Sequence, residues 1–330
     1  MRPTRRRFLT ACASGGIAVA AGLSASARPK GKALVAITLD LEMSAEYPKR
    51  GMTEWNYRKG DLDADTKRYA VEAARVAKDH GGLIHFFALG QTLEQADVGW
   101  LKDLAAAGHA VGNHTYDHVN VKATRPEDVQ FRFRRAPWLV RNRPVAEVIA
   151  DNVATTTLAL KDRCGITAQG FRTPGGFHDG LRDRPDLQSM LRKQGFTWVS
   201  SLYPAHKSGT PGQPPGEDVF ADIIRAQAAA QPFAYPSGLV EVPMSPISDV
   251  TAFRAHRWKL DWFLKAVRLC VERAIQSRTV FDFLAHPSCL VVEDPTFEAV
   301  KLICDLVRDA GDRAAVTDLG AIAARAGQER

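Results

Sequence analysis

Cysteine is scarce in this chain and poorly placed for metal. Of the five cysteines, Cys12, Cys164, Cys270, Cys289 and Cys304, no two fall in a CxxC or other zinc-binding spacing, which excludes a cysteine-built zinc module. Internal repeats are also missing, so the chain is not a solenoid or a propeller. Beyond the N-terminus there is no apolar run long enough to span a bilayer, so a soluble mature chain with no stable membrane insertion is expected. Excess charge is small once the N-terminus is set aside. Arg2, Arg5, Arg6 and Arg7 stand in the first 27 residues with no acid among them, and removing that segment takes the formal charge from +7 to +3. The high isoelectric point therefore gives no support to a nucleic-acid partner.

The N-terminus differs in kind from the rest. Arg5-Arg6-Arg7-Phe8-Leu9 precedes a small-residue, weakly apolar run from Ala11 to Leu23, and Ala25-Ser26-Ala27 follows. That order predicts a twin-arginine export signal over residues 1–27, cleaved after Ala27, with the twin-arginine translocase as a transient partner and a periplasmic or secreted destination. Leu9-Thr10-Ala11-Cys12 has the composition of a lipoprotein box, but its cysteine precedes the apolar run, the wrong side for lipid attachment. Cys12 would leave with the signal. The remaining four cysteines read as core thiols, in a compartment whose oxidising character leaves room for one disulfide.

Over residues 28–330, strand-like apolar runs alternate with helix-like stretches. Strands are expected at Ala33–Leu39, Leu83–Leu89 and His109–Gly112, and around Gln169–Arg172, Thr197–Ser200, Leu239–Val242, Val280–Leu284 and Ala314–Thr317. Helices are expected at Ala64–His80 (closed by Gly81-Gly82), Trp100–Ala107, Asp261–Ser277 and Asp294–Asp309, with a helical insertion between His118 and Cys164. The Pro/Gly-rich stretch from Tyr203 to Ser237 reads as a long loop. Buried strands joined by helices imply parallel pairing. The expected fold is one α/β domain, a parallel and incomplete (β/α) barrel with its chemistry at the carboxyl ends of the strands.

Polar residues gather at those ends. His114 and His118 are a pair separated by three residues; on a helical turn they would share one face, close enough to bind one divalent ion. Asp40 and Glu42, one residue apart at the end of the first strand, would point the same way if extended. Arg172 precedes Thr173-Pro174-Gly175-Gly176, a turn that could aim its guanidinium at a carboxylate. His286 closes Phe283-Leu284-Ala285 with a group suited to proton delivery. Glu46 and Glu54, in the loop after the first strand, are alternative metal carboxylates. His85, His109, His178, His206 and His256 read as structural or substrate-facing. Trp55, Tyr57, Trp198, Tyr203 and Tyr235 adjoin strand-end loops, where they would either offer stacking faces to a substrate or anchor the loops. Arg132-Phe133-Arg134-Arg135 reads as a solvated helix face.

Taken in order, Thr38-Leu39-Asp40-Leu41-Glu42, His114-Thr115-Tyr116-Asp117-His118, Arg172-Thr173-Pro174-Gly175-Gly176 and Leu284-Ala285-His286 resemble the four motifs of the polysaccharide deacetylases. These share the NodB-type domain and form carbohydrate esterase family four. The resemblance runs from about Ala33 to Leu319. It implies hydrolysis of amide C–N bonds in an N-acetylated glycan of the envelope or the extracellular space. It also implies a divalent ion, zinc by donor type, on Glu42, His114 and His118, with Asp40 as base, Arg172 holding Asp40 and His286 as acid. The chain departs from the family in two places. The spaced acids and Glu42 resemble the branch with periplasmic peptidoglycan deacetylases and allantoinase-like hydrolases, and Val199 stands where many relatives have an Asp. The second departure leaves the partner of His286 open, with Asp282 and Asp318 as candidates. Cyclic-amide hydrolysis and non-catalytic carbohydrate binding are the alternative functions.

Overall fold

The computed structural model describes residues 31–328; the export signal expected at residues 1–27 lies outside them. Nine strands form one sheet. In chain order they are β1 (Ala33–Leu41), β2 (His85–Ala88), β3 (Ala110–Asn113), β4 (Phe171–Phe177), β5 (Trp198–Leu202), β6 (Phe233–Ala234), β7 (Val240–Glu241), β8 (Val280–Ala285) and β9 (Ala314–Val316). Their spatial order is β6-β7-β5-β4-β3-β2-β1-β8, with β9 added on β1. Every pairing is parallel except β6 with β7. The sheet curls but does not close, because β6 and β8 end the order without pairing, so the expected incomplete barrel is what forms.

β1 is the axis of the molecule. All but one of its nine residues are buried, and it pairs with β2, β8 and β9. Buried on both faces, it has the near-continuous apolar sequence that parallel strands require. The alternation places Val35, Ile37, Leu39 and Leu41 in the main apolar core, which the helices Ala64–Asp79, Leu260–Ser277 and Glu298–Asp309 complete. Thr38 and Asp40, on the opposite parity, turn toward the polar concave side.

The differences from expectation are local. The stretch between Tyr203 and Ser237 holds a 13-residue helix, Glu217–Ala229, whose buried Val219, Phe220, Ile223 and Gln227 sit at helical spacing; the flanking prolines and glycines hid it. Beyond Asp249, Val250–Ala255 forms a π-helical turn that no periodicity announced. Residues 287–293 make a helix of their own ahead of Glu298–Asp309. The insertion after His118 is two short helices followed by the 20-residue helix Val145–Cys164. Pro174-Gly175-Gly176 does not turn the chain back. It continues β4 through an irregularity between Arg172 and Phe177. Cys164, Cys270, Cys289 and Cys304 are buried free thiols. No helix of the described residues is long and apolar enough to cross a membrane.

Candidate metal centre and active site

A cleft of about 460 Å³ opens where β1, β3, β4 and β8 end, and Asp40, Glu42, His114, His118 and His286 all line it. Asp40 is the last but one residue of β1. Glu42 follows the strand in a tight turn, its N–H donating to the Asp40 carbonyl at 3.0 Å, so the two acids share the cleft without sharing an extended backbone. Ser288 secures that turn, donating its hydroxyl to the Glu42 carbonyl at 2.8 Å.

The two histidines reach the cleft by a different route from the expected one. They lie on an irregular loop after β3, with Thr115 and His118 in the left-handed region at φ 63° and 58°. Their ring centroids are 5.2 Å apart, so the loop reproduces the convergence that a helical turn would have given. Asn113 supports the bend by accepting the Thr115 N–H at 2.8 Å. His114 Nδ1 donates to the Arg172 carbonyl at 3.0 Å. A carbonyl can only accept, so the Nε2 lone pair is left facing the acids.

Glu42, His114 and His118 bring one ligand atom each to within 4.8 Å of one another. Glu42 Oε2 is 3.5 Å from His114 Nε2 and 2.6 Å from His118 Nε2, yet it is buried with no hydrogen-bond partner. Burial, with the charge of Lys59 and the neighbouring His114 adding to it, pushes the His118 imidazole down to about 4 against the opposing pull of Glu42. Burial alone would raise the Glu42 carboxyl, but His118, the Lys59 ammonium and His114 beside it hold it well below the usual range. A carboxylate beside two imidazoles, with an orphaned oxygen aimed at them, fits a divalent ion.

Asp40 is held by Arg172, whose NH1 donates to Oδ1 at 3.1 Å, while its Oδ2 lies 3.7 Å from His114 Nε2. Arg172 is completely buried. It also donates to the Thr38 hydroxyl at 2.7 Å, to Asp282 at 2.5 Å and to the Ser200 hydroxyl at 3.2 Å, and its guanidinium lies 4.4 Å from the Phe87 ring centroid. Burial pushes Asp282 up to about 6 despite Arg172.

His286 sits across the cleft, Nε2 3.8 Å from Glu42 Oε1. Its partner is neither of the residues expected. Asp282 serves Arg172 and Thr38, and Asp318 accepts the Ala321 N–H at the start of the last helix. Asp249 takes the place, accepting His286 Nδ1 at 2.9 Å and the His286 backbone N–H at 2.7 Å. Burial alone would lower the imidazole, but Asp249, with Glu42 and Asp40 behind it, raises it to about 9. Val199 lies in an apolar cluster.

Sequence reasoning missed Asp249 and Lys59. Lys59 Nζ is 2.7 Å from Glu42 Oε1 and 3.3 Å from His118 Nε2. Neither carries a motif; a lysine beside a ligand set has no sequence signal. Glu46 and Glu54 are exposed and lie outside the ligand cluster. His85 and His109 are buried in the core, desolvation driving them to about 3 and 4, and His178, His206 and His256 lie outside the ligand cluster. Trp55 and Tyr203 line the cleft. Trp198 packs on His85 and Phe87, Tyr235 hydrogen-bonds buried Glu241, and Tyr57 stacks with Arg135. The basic run is divided: Arg132 pairs with Asp117 and Arg134 reaches the cleft.

Residues 60–185 match the family model described as polysaccharide deacetylase. That match spans a little over a third of the chain. The matched segment carries His114, His118 and Arg172; Asp40, Glu42 and His286 lie outside it and are placed beside it by the fold. Two solved structures described as polysaccharide deacetylases share this fold. The one from Mycobacterium smegmatis is 17% identical, with a TM-score of 0.59 over 91% of this chain and 92% of that one. The one from Pseudomonas aeruginosa PAO1 is 11% identical, with a TM-score of 0.59 over 90% and 91%. Puue allantoinase is equally similar in fold, at 12% identity and a TM-score of 0.59 over 90% and 91%. No curated protein matches the chain.

Proposed function

We propose that this chain is a metal-dependent amidohydrolase that removes N-acetyl groups from an envelope or extracellular polysaccharide. The observation that carries the reading is the ligand set Glu42–His114–His118 flanked on one side by Asp40 and on the other by a histidine whose pKa is raised to about 9. A divalent ion on those three residues supplies Lewis acidity toward the amide carbonyl. Asp40 takes the proton of the attacking water. Arg172 fixes that carboxylate, turning Oδ1 to itself and leaving Oδ2 for the reaction. His286, charged at neutral pH, gives its Nε2 proton to the leaving amine nitrogen, while Asp249 holds Nδ1 and the ring orientation. The products are acetate and a free amine. Trp55 and Tyr203, at the cleft wall, offer ring faces to sugars.

The twin-arginine signal expected over residues 1–27 favours a periplasmic or secreted glycan as substrate over a cytosolic one. The test is acetate release by purified residues 28–330 from chitooligosaccharides, peptidoglycan and xylan, beside ring opening of allantoin. Acetate from at least one glycan, with allantoin untouched, is expected. Allantoin turnover without acetate release would move the enzyme to cyclic-amide hydrolysis.

A further inference from the structure

One cation stands inside the ligand set where the chemistry above does not require one. Lys59 is only 9% exposed, and its Nζ contacts Glu42 Oε1 at 2.7 Å and His118 Nε2 at 3.3 Å. Its carbonyl accepts the Met43 N–H at 2.7 Å, which ties the residue to the segment leaving β1. The ammonium also lies 5.1 Å from the Trp55 ring centroid. It is therefore folded into the cleft floor and not extended to solvent. A charged lysine has three donors and no acceptor, so it neutralises Glu42 but cannot ligate a metal.

Lys59 opposes a divalent ion twice, by repulsion at close range and by sharing the ligand Glu42.

We propose that Lys59 is a resident competitor for the cation site: its ammonium neutralises Glu42, weakens divalent binding at Glu42–His114–His118, and is the group that an incoming ion displaces toward the Trp55 face. The proposal rests on the metal reading of the site. Its consequence is a centre that fills and empties with the free metal level.

The test measures zinc affinity of the mature chain by competition with a chromophoric chelator, for the wild type, Lys59→Met, Lys59→Gln and Lys59→Arg. Removing a unit positive charge from beside the ligand set should tighten zinc binding by roughly tenfold or more, even with the ammonium well screened by solvent. Lys59→Met and Lys59→Gln should both show this, the second serving if the first does not fold, while Lys59→Arg stays near the wild type. Zinc binding that is unchanged or weaker in the two uncharged variants overturns the role of Lys59 and leaves the metal reading standing. No zinc uptake by any of the four proteins overturns both.

Discussion

Asp40 and Glu42 are neighbours with different holders. Asp40 is gripped by a guanidinium and Glu42 by two imidazoles and an ammonium. That difference gives each a separate prediction. Asp40→Asn keeps shape and removes basicity, so turnover should fall roughly 10²–10⁴-fold with zinc content intact. Glu42→Gln should weaken zinc binding, with activity partly recovered at high added metal. Metal analysis beside acetate release decides the matter, and the reverse pattern would exchange the two roles. His286 carries the pH dependence. Its folded pKa of about 9 lies above the ordinary 6.5, so its pairing with Asp249 contributes stability in full below about pH 6.5 and loses it as pH rises through about 9. The proton it delivers is lost over the same upper range. The alkaline limb of kcat should therefore fall near pH 9, and Asp249→Asn should move it downward and reduce the pH dependence of Tm. A limb unmoved by Asp249→Asn would detach Asp249 from His286.

Among the elements, β1, β4 and β8 are bound together at one buried point. Arg172 from β4 spans Thr38 and Asp40 of β1, Asp282 of β8 and Ser200 of β5. Arg172→Met strands two carboxylates in a dry site and should cost about 3–5 kcal/mol in urea unfolding, a loss read as a lower midpoint. A cost under about 1 kcal/mol would mean that the cluster is solvated and not the clamp described. The strands β1, β3 and β8 were legible in the sequence because apolar runs leading to Asp40, His114 and His286 state both burial and strand end. The elements that complete it were not. Asp249 heads a π-helical turn between β7 and the helix Leu260–Ser277, and its meeting with His286 joins residues 37 positions apart without any shared period. Lys59 comes from an irregular loop. The His114–His118 spacing was read as a helical turn because i and i+4 converge there; a loop with two left-handed residues gives the same convergence, and spacing alone cannot separate the two.

At the scale of the whole molecule, the expected leader and the cleft address the same question of where the enzyme works. If Arg5 and Arg6 form a twin-arginine signal, replacing both by lysine should retain the protein in the cytoplasm, and a strain lacking that translocase should export none. Unchanged export in either case would remove the twin-arginine route. The central claim concerns the cleft itself: an ion on Glu42, His114 and His118 makes this chain an amidohydrolase. Its most direct test is acetate release from N-acetylchitooligosaccharide by residues 28–330, stripped with a chelator and then titrated with zinc. The account predicts that the stripped protein is inactive and that activity returns in proportion to zinc, levelling at one ion per chain. Full acetate release from protein shown to hold no metal would contradict it.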